Sequence, residues 1–299
     1  MCGISGIMSS GFNHKMDRLK SEIQGMTNQL IRRGPDNFGF WCSNEDGLLL
    51  GHSRLSIFDT SSLGNQPMIS RNHRYVISYN GEIYNFKKLK IDIQKKFNFY
   101  FKSTSDSEVL LESISFFGLQ KTLEKVVGMY AFSLWDRKEK KLYLVADTLS
   151  KKPLYWGIFE NHLIFGSEIK SVAKSKFFKK KINKNALSNY LKFSYIKPPL
   201  SIFENLFKIE PGTYLCFNKN LAYEKKKYWN PIDFIYKENS TIKSFEDIKL
   251  EISDLLELAV QERVQADVPL GVMLSGGIDS SLITAFAQKV SDHRIKTFS

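Results

Sequence analysis

The chain has 299 residues, 42% of them hydrophobic and 13% aromatic, enough for about two domains with apolar cores of their own. A formal charge of +12 raises nucleic acid as a partner, yet 34 of the 43 basic residues are lysine, base-edge reading leans on arginine forks, and no nucleic-acid-binding motif accompanies the strongest basic patch, Lys174 to Lys184. No run of about 18 apolar residues offers a membrane span, and the N-terminus lacks the basic-then-apolar order of a signal peptide.

Residues 2 to 8 alternate like a short strand that starts on Cys2. Cysteine is small enough for the initiator methionine to be removed, which would leave a thiol and a free α-amine on one residue. Their ordinary pKa values lie near ~8.5 and ~8, so Cys2 can be nucleophile and base in one. Cys42 and Cys216 form no CxxC pair and no zinc spacing with it. An unpaired reactive thiol suits a reducing compartment, so a cytoplasmic protein is expected.

From His14 to Arg33, Met16, Leu19, Ile23, Met26 and Leu30 recur at helical spacing, and Gly34-Pro35 stops the helix. Strand-like runs follow at Phe38 to Cys42, Leu48 to His52 and Arg74 to Tyr79. His52 sits singly on an apolar strand, where a structural role is the ordinary one. Asn80-Gly81 is by itself a hairpin-turn signal. Ser105-Asp106-Ser107-Glu108 has the form of a capping box opening a helix through Phe117. Strands recur at Met129 to Trp135, Lys141 to Ala146, Leu154 to Ile158 and His162 to Phe165. Periodicity alone gives an α+β domain.

A mixed segment from Asn183 to Lys243 holds the expected boundary between residues 2–218 and residues 219–299. Phe245 to Val264 reads as a helix, Pro269 to Leu274 as a short apolar strand, and Ile295 to Phe298 as the start of another. Between those strands Ser275-Gly276-Gly277-Ile278-Asp279-Ser280-Ser281 opens a helix through Val290. Its glycines let backbone N–H groups approach phosphate at a helix N-terminus. It lacks the Gly-Lys-Ser/Thr ending of a Walker A loop.

Cys2, Arg32-Arg33-Gly34-Pro35-Asp36, Arg54 in His52-Ser53-Arg54-Leu55-Ser56-Ile57, Asn80-Gly81-Glu82-Ile83-Tyr84-Asn85 and Ser105-Asp106-Ser107-Glu108 together resemble the class II glutamine amidotransferases, and in particular glutamine-hydrolysing asparagine synthetases. The 275–281 loop resembles the PP-loop of ATP pyrophosphatases, in the same family's order. The resemblance implies a four-layer αββα sandwich of the Ntn-hydrolase type, followed by the start of an α/β PP-loop ATP pyrophosphatase domain. It also implies an enzyme that releases ammonia from glutamine at Cys2 and uses it, with ATP, to amidate an adenylated carboxylate. That carboxylate is classically the side chain of aspartate; a sugar acid of surface-polysaccharide assembly is the alternative acceptor. The rival from another class is a non-catalytic basic binding protein.

By the same resemblance Asn80 and the Gly81 N–H form the oxyanion hole, Arg54 holds the glutamine carboxylate, and backbone from Leu55, Ser56, Ile57 and Phe58 lines the slot. Asp106, helped by Glu82, holds the ammonium. Leu274, Ser275, Gly276, Gly277, Asp279, Ser280 and Ser281 meet ATP, with Mg²⁺ riding on its phosphates and its ligands not assignable. The partners are therefore small molecules, with no nucleic acid and no membrane, and a homodimer is the one assembly entertained. Where the family shows Arg-Asp-x-x-Gly-x-Lys-Pro-Leu-Tyr, this chain reads Ala146-Asp147-Thr148-Leu149-Ser150-Lys151-Lys152-Pro153-Leu154-Tyr155, without the arginine and the glycine. Family members also continue past residue 299, so a fragment with glutaminase capacity alone is expected.

Overall fold

The computed structural model describes residues 1–10, 16–235 and 244–299. The expected helix start at His14 and the end of the mixed segment at Lys243 lie outside the described residues. Two compact units are present: Met1–Ser56 with Ser61–Pro231, and Ile57–Thr60 with Ile232–Ser299.

The first unit runs β1 (Gly3–Ser9), α1 (Met16–Asn28), β2 (Asn37–Ser43), β3 (Leu48–Arg54), β4 (Met68–Ile69), β5 (Tyr75–Ile83), α2 (Phe86–Phe97), α3 (Asp106–Phe117) and α4 (Leu119–Leu123). It continues through β6 (Gly128–Asp136), β7 (Lys141–Ala146), β8 (Tyr155–Phe159), β9 (His162–Gly166), α5 (Ile169–Val172), α6 (Lys184–Phe193), β10 (Phe207–Lys208), β11 (Thr213–Phe217) and β12 (Tyr223–Lys227). The strands make two six-stranded sheets, ordered β10-β8-β9-β1-β3-β2 and β12-β11-β7-β6-β5-β4. Because β12 pairs with β11, the second sheet runs past residue 218.

Strand alternation sorts the side chains into layers. Ile4, Met8, Leu48, Leu50 and Phe165 from one sheet meet Val76, Ala131, Trp135, Leu144 and Ala146 from the other in a buried core between the sheets. The opposite face of the first sheet, through Ile7, Leu49 and Ile164, packs on Leu19, Ile23 and Met26 of α1. On the outside of the second sheet, Tyr79 of β5 reaches Asp106 of α3. The unit is thus the four-layer αββα sandwich that the family resemblance implies.

Three local differences from the sequence reading have physical causes. Helix α1 ends at Asn28, five residues before Arg33, because Gln29, Leu30 and Arg33 N–H bond to carbonyls three residues back and tighten the chain out of the α-helix. The capping box at Ser105 does not close. Ser105 Oγ accepts the Ser107 N–H, while the Glu108 carboxylate takes the N–H groups of Lys102 and Ser103 instead. Helix α2, crowded with lysines, carries its apolar stripe on Phe86, Leu89 and Ile93 alone, too thin to be read beforehand.

In the second unit α7 (Ile232–Ile235) and α8 (Phe245–Arg263) precede β13 (Gly271–Met273), α9 (Ile278–Lys289) and β14 (Lys296–Phe298). A capping box does close here, between Ser244 and Asp247. Strands β13 and β14 pair in parallel, the expected β-loop-α-β start of an α/β sheet. Asp59 N–H donates to the Asp267 carboxylate at 2.8 Å, and Asp267 N–H donates to the Ile57 carbonyl at 3.1 Å, which gathers Ile57–Thr60 into this unit. Among the described residues no helix is long and apolar enough to cross a membrane.

Candidate active site

Cys2 lies one residue ahead of β1, and its surroundings come from four other segments. The Leu55 N–H, just past the end of β3, points at the Cys2 sulfur at 3.4 Å, and the thiol faces the Leu55 carbonyl at 3.6 Å. Arg33 Nε donates to the Cys2 carbonyl at 2.9 Å, and its Nη1 is held by Glu168 at 3.0 Å. The early end of α1 therefore matters, since it lets the chain turn and lay Arg33 under the nucleophile. Gly34 makes this approach possible, as a Cβ there would stand 2.3 Å from the Ser53 carbonyl. Asp36 completes the loop by accepting the Ser56 N–H at 2.7 Å.

Burial pushes the Cys2 thiol up; the Leu55 N–H, the N-terminal amine and Arg54 oppose that, while Asp106 adds to it. The Met1 α-amine is lowered chiefly by burial. Arg54 is itself buried, with Nη1 donating to the Ser61 carbonyl at 2.6 Å and to Asn65 Oδ1 at 2.8 Å.

Asn80 and Gly81 do not form a hairpin turn. Both lie inside β5, in register with Ala131 and Tyr130 of β6. Gly81 is required by that closeness, because a Cβ would stand 2.3 Å from the Met129 carbonyl. On β5 the Tyr79 N–H donates to Gln66 and the Ile83 N–H to Asp106, so neither is spent on β6. Antiparallel ladders alternate, which puts the Gly81 N–H on the same free edge between them. The Asn80 side chain is 1% exposed, and its Nδ2 has no hydrogen-bond partner among the described residues. A buried donor in that state is costly unless a ligand oxygen satisfies it.

Asp106 opens α3. One of its oxygens accepts the Tyr79 hydroxyl at 2.7 Å and the Ile83 N–H at 2.9 Å. Burial pushes its carboxyl up to about 6, against the pull of those two donors. Half-buried Glu82 is also raised by burial, with Lys152 and the N-terminal amine pulling it back. Tyr79 was not singled out in the sequence, since an apolar strand gives no sign that one of its rings will end on a carboxylate in a helix. His52 is buried, with Nε2 at 2.9 Å from the Tyr79 carbonyl, and burial lowers it to about 4. It is neutral at physiological pH and ties β3 to β5.

The structure thus gathers Cys2, Arg54, Leu55, Ser56, Asn80, Gly81, Glu82 and Asp106 in the first unit. Ile57 and Phe58 belong to the second. There the 275–281 loop leaves β13 and enters α9. Gly276 has a φ of +80° with open space where a Cβ would be, and the Gly277 cap offers no side chain to the first N–H groups of α9. Ser280 and Ser281 hydroxyls donate to the Gly277 carbonyl at 3.1 and 2.8 Å. Leu274 N–H bonds to the Phe298 carbonyl at 2.7 Å, and exposed Asp279 lies in the first turn of α9. The result is a glycine-flanked helix start with its donors available to an anion. Among the described residues no group of three or more His, Cys, Asp or Glu side chains could hold a metal ion.

Residues 1–229 match the glutamine amidotransferase domain family, and residues 251–299 match the asparagine synthase family. Among curated proteins the chain is 35% identical to a putative glutamine-hydrolysing asparagine synthetase of Methanocaldococcus jannaschii, covering 100% of this chain and 59% of that protein. It is 33% identical to glutamine-hydrolysing asparagine synthetase 3 of Bacillus subtilis, covering 96% of this chain and 45% of that protein. The chain therefore spans about half the length of these relatives. A solved structure of a glutamine phosphoribosylpyrophosphate amidotransferase from B. subtilis shares the fold, with a TM-score of 0.55 and 18% identity over 99% of this chain and 65% of that one.

Proposed function

The chain belongs to the glutamine amidotransferase domain family, and on that premise we propose that it hydrolyses glutamine at Cys2. The observation that carries this reading is a half-buried thiol held at the Leu55 N–H, with a buried guanidinium, one buried and one half-buried carboxylate and an orphan amide donor in the same unit. Removal of Met1 hands the α-amine to Cys2. The sulfur then attacks the side-chain amide carbon while its proton passes to that amine. The Asn80 amide and the Gly81 N–H receive the oxyanion. Ammonia leaves with the returned proton, and water cleaves the glutamyl thioester to free glutamate and the thiol. Arg54 pairs with the substrate carboxylate, Asp106 and Glu82 with its ammonium, and backbone from Leu55 to Phe58 lines the slot.

For the second unit we propose ATP binding, with the phosphates at the 275–281 loop and Mg²⁺ carried on them. The match of residues 251–299 and the names of the relatives support an acceptor that is the aspartate side chain, activated as an adenylate and attacked by ammonia. Adenylation would yield AMP and pyrophosphate; ADP and phosphate as products of the whole enzyme would contradict it. A reactive unpaired thiol favours a cytoplasmic setting.

The deciding experiment is on the nucleophile. Cys2→Ala should abolish glutamate release from glutamine, whereas Cys42→Ala and Cys216→Ala should leave it intact. An intact-mass measurement of the active protein should show loss of Met1. Glutaminase activity surviving in Cys2→Ala would refute the assignment.

A further inference from the structure

Lys152 is only 6% exposed, and among the described residues its ammonium has no hydrogen-bond or ion-pair partner. The ammonium is not one of the buried side-chain atoms left without a partner, so the stem is packed away while the charge stays in reach of solvent at the site. Its place is set by Asp147, which accepts the N–H groups of Tyr130, Leu149, Lys151 and Lys152 at 2.9 to 3.3 Å. Tyr130 stands directly across from Gly81. The turn from 147 to 152 is therefore pinned to β6 opposite the Asn80-Gly81-Glu82 edge of β5.

The charges acting on the Lys152 ammonium are Glu82, Arg33, Cys2 and Asp147, and it acts in turn on Glu82 and on the N-terminal amine. Cys2 further faces Arg54 and Asp106. Burial lowers the Lys152 ammonium and Glu82 draws it back. Within the run that departs from the family pattern, Ser150 replaces a glycine at a φ of +51° and anchors its hydroxyl on the Ile209 carbonyl at 3.2 Å. The left-handed turn is thereby kept without the glycine.

We propose that Lys152 is a positioning residue of this site: its fixed positive charge holds the Glu82 carboxylate at the edge of β5 and draws negative charge onto the Cys2 sulfur. The inference rests on the glutaminase reading for the identity of the nucleophile. Its test does not need turnover. In a Cys42→Ser, Cys216→Ser background Cys2 is the single thiol, and its alkylation by iodoacetamide can be followed by mass spectrometry from neutral to alkaline pH. Lys152→Met should raise the midpoint of that profile by about one pH unit and raise KM for glutamine, and Lys152→Arg should restore both. Lys152→Gln, which keeps a polar head, serves if the Met variant folds poorly. A midpoint unmoved in either folded, uncharged variant overturns the proposal. A midpoint that moves in a protein with no glutaminase activity in any form would keep the Lys152–Cys2 coupling and remove the glutaminase reading.

Discussion

Arg54 and Asn80 offer different chemistry to a substrate, and kinetics can separate them. The Arg54 guanidinium would meet a carboxylate whose charge is the same in ground and transition states. Charged hydrogen bonds of this kind are worth about 1.5–3 kcal/mol, so Arg54→Ala should raise KM for glutamine by roughly 10- to 100-fold with little change in kcat. The Asn80 amide would serve an oxyanion that exists only during reaction, so Asn80→Ala should lower kcat by roughly 10²–10³ with KM nearly constant. Reversed effects in steady-state assays would mean the two roles are exchanged. Asp106 adds a pH dependence with a definite sign. With its carboxyl pushed up to about 6, it is charged above that pH and neutral below it, where attraction for a substrate ammonium is lost. In Cys2→Ala, calorimetric affinity for glutamine should hold above about pH 6 and fall below it, and Asp106→Asn should bind weakly with a flat profile. Affinity that rises on acidification would exclude Asp106 as the ammonium partner.

Strand β5 and its neighbour β6 carry the site as an element. Gly81→Ala would drive a methyl group into the Met129 carbonyl at 2.3 Å and the Tyr130 Cα at 2.7 Å, both backbone atoms that cannot rotate away. Overpacking of this kind costs about 1–3 kcal/mol, so a lower thermal midpoint is expected together with a loss of kcat as the Gly81 N–H shifts. Unchanged stability and activity would show that β5 can yield there. The strands were legible because β1, β3, β6 and β7 are short runs rich in apolar residues and buried along most of their length. The ends of elements were not, since they are decided by tertiary hydrogen bonds. Glu108 is the clearest case, its carboxylate drawn off to Lys102 and Ser103. Asn80-Gly81 looks like a turn because local chemistry favours one, and the nine-residue pairing of β5 with β6 overrides it. Around Cys2, motif residues could be named from the sequence. Tyr79 and Gln66 could not, and Lys152 stood in the Ala146 to Tyr155 run with no role attached, because their importance arises only from what the fold places beside them.

At the scale of the whole molecule, the first unit contains its own inter-sheet core and outer core, and every residue of both lies at or before Leu221. Cys2, Arg54, Asn80, Gly81, Glu82 and Asp106, the residues proposed for glutamine hydrolysis, lie in it too. A fragment ending at Pro231 would give up the hydrogen bonds that Asp267 makes with Asp59 and Ile57. Each is worth about 1 kcal/mol net, and both involve backbone groups that water can satisfy in their place. That loss is small beside the burial of a core built on Trp135, Phe165 and Phe217, all under 2% exposed, where each large side chain contributes about 1.5–3 kcal/mol. Residues 1–231 should therefore unfold in a single cooperative transition and hydrolyse glutamine with kcat close to that of the full chain. KM should rise modestly, because Ile57 and Asp59 lose their hydrogen bonds to Asp267. Differential scanning calorimetry and a glutamate-release assay on the two proteins decide it. A fragment that shows no cooperative transition, or that folds but has lost glutaminase activity while the full chain keeps it, would mean that the second unit is part of the catalytic fold.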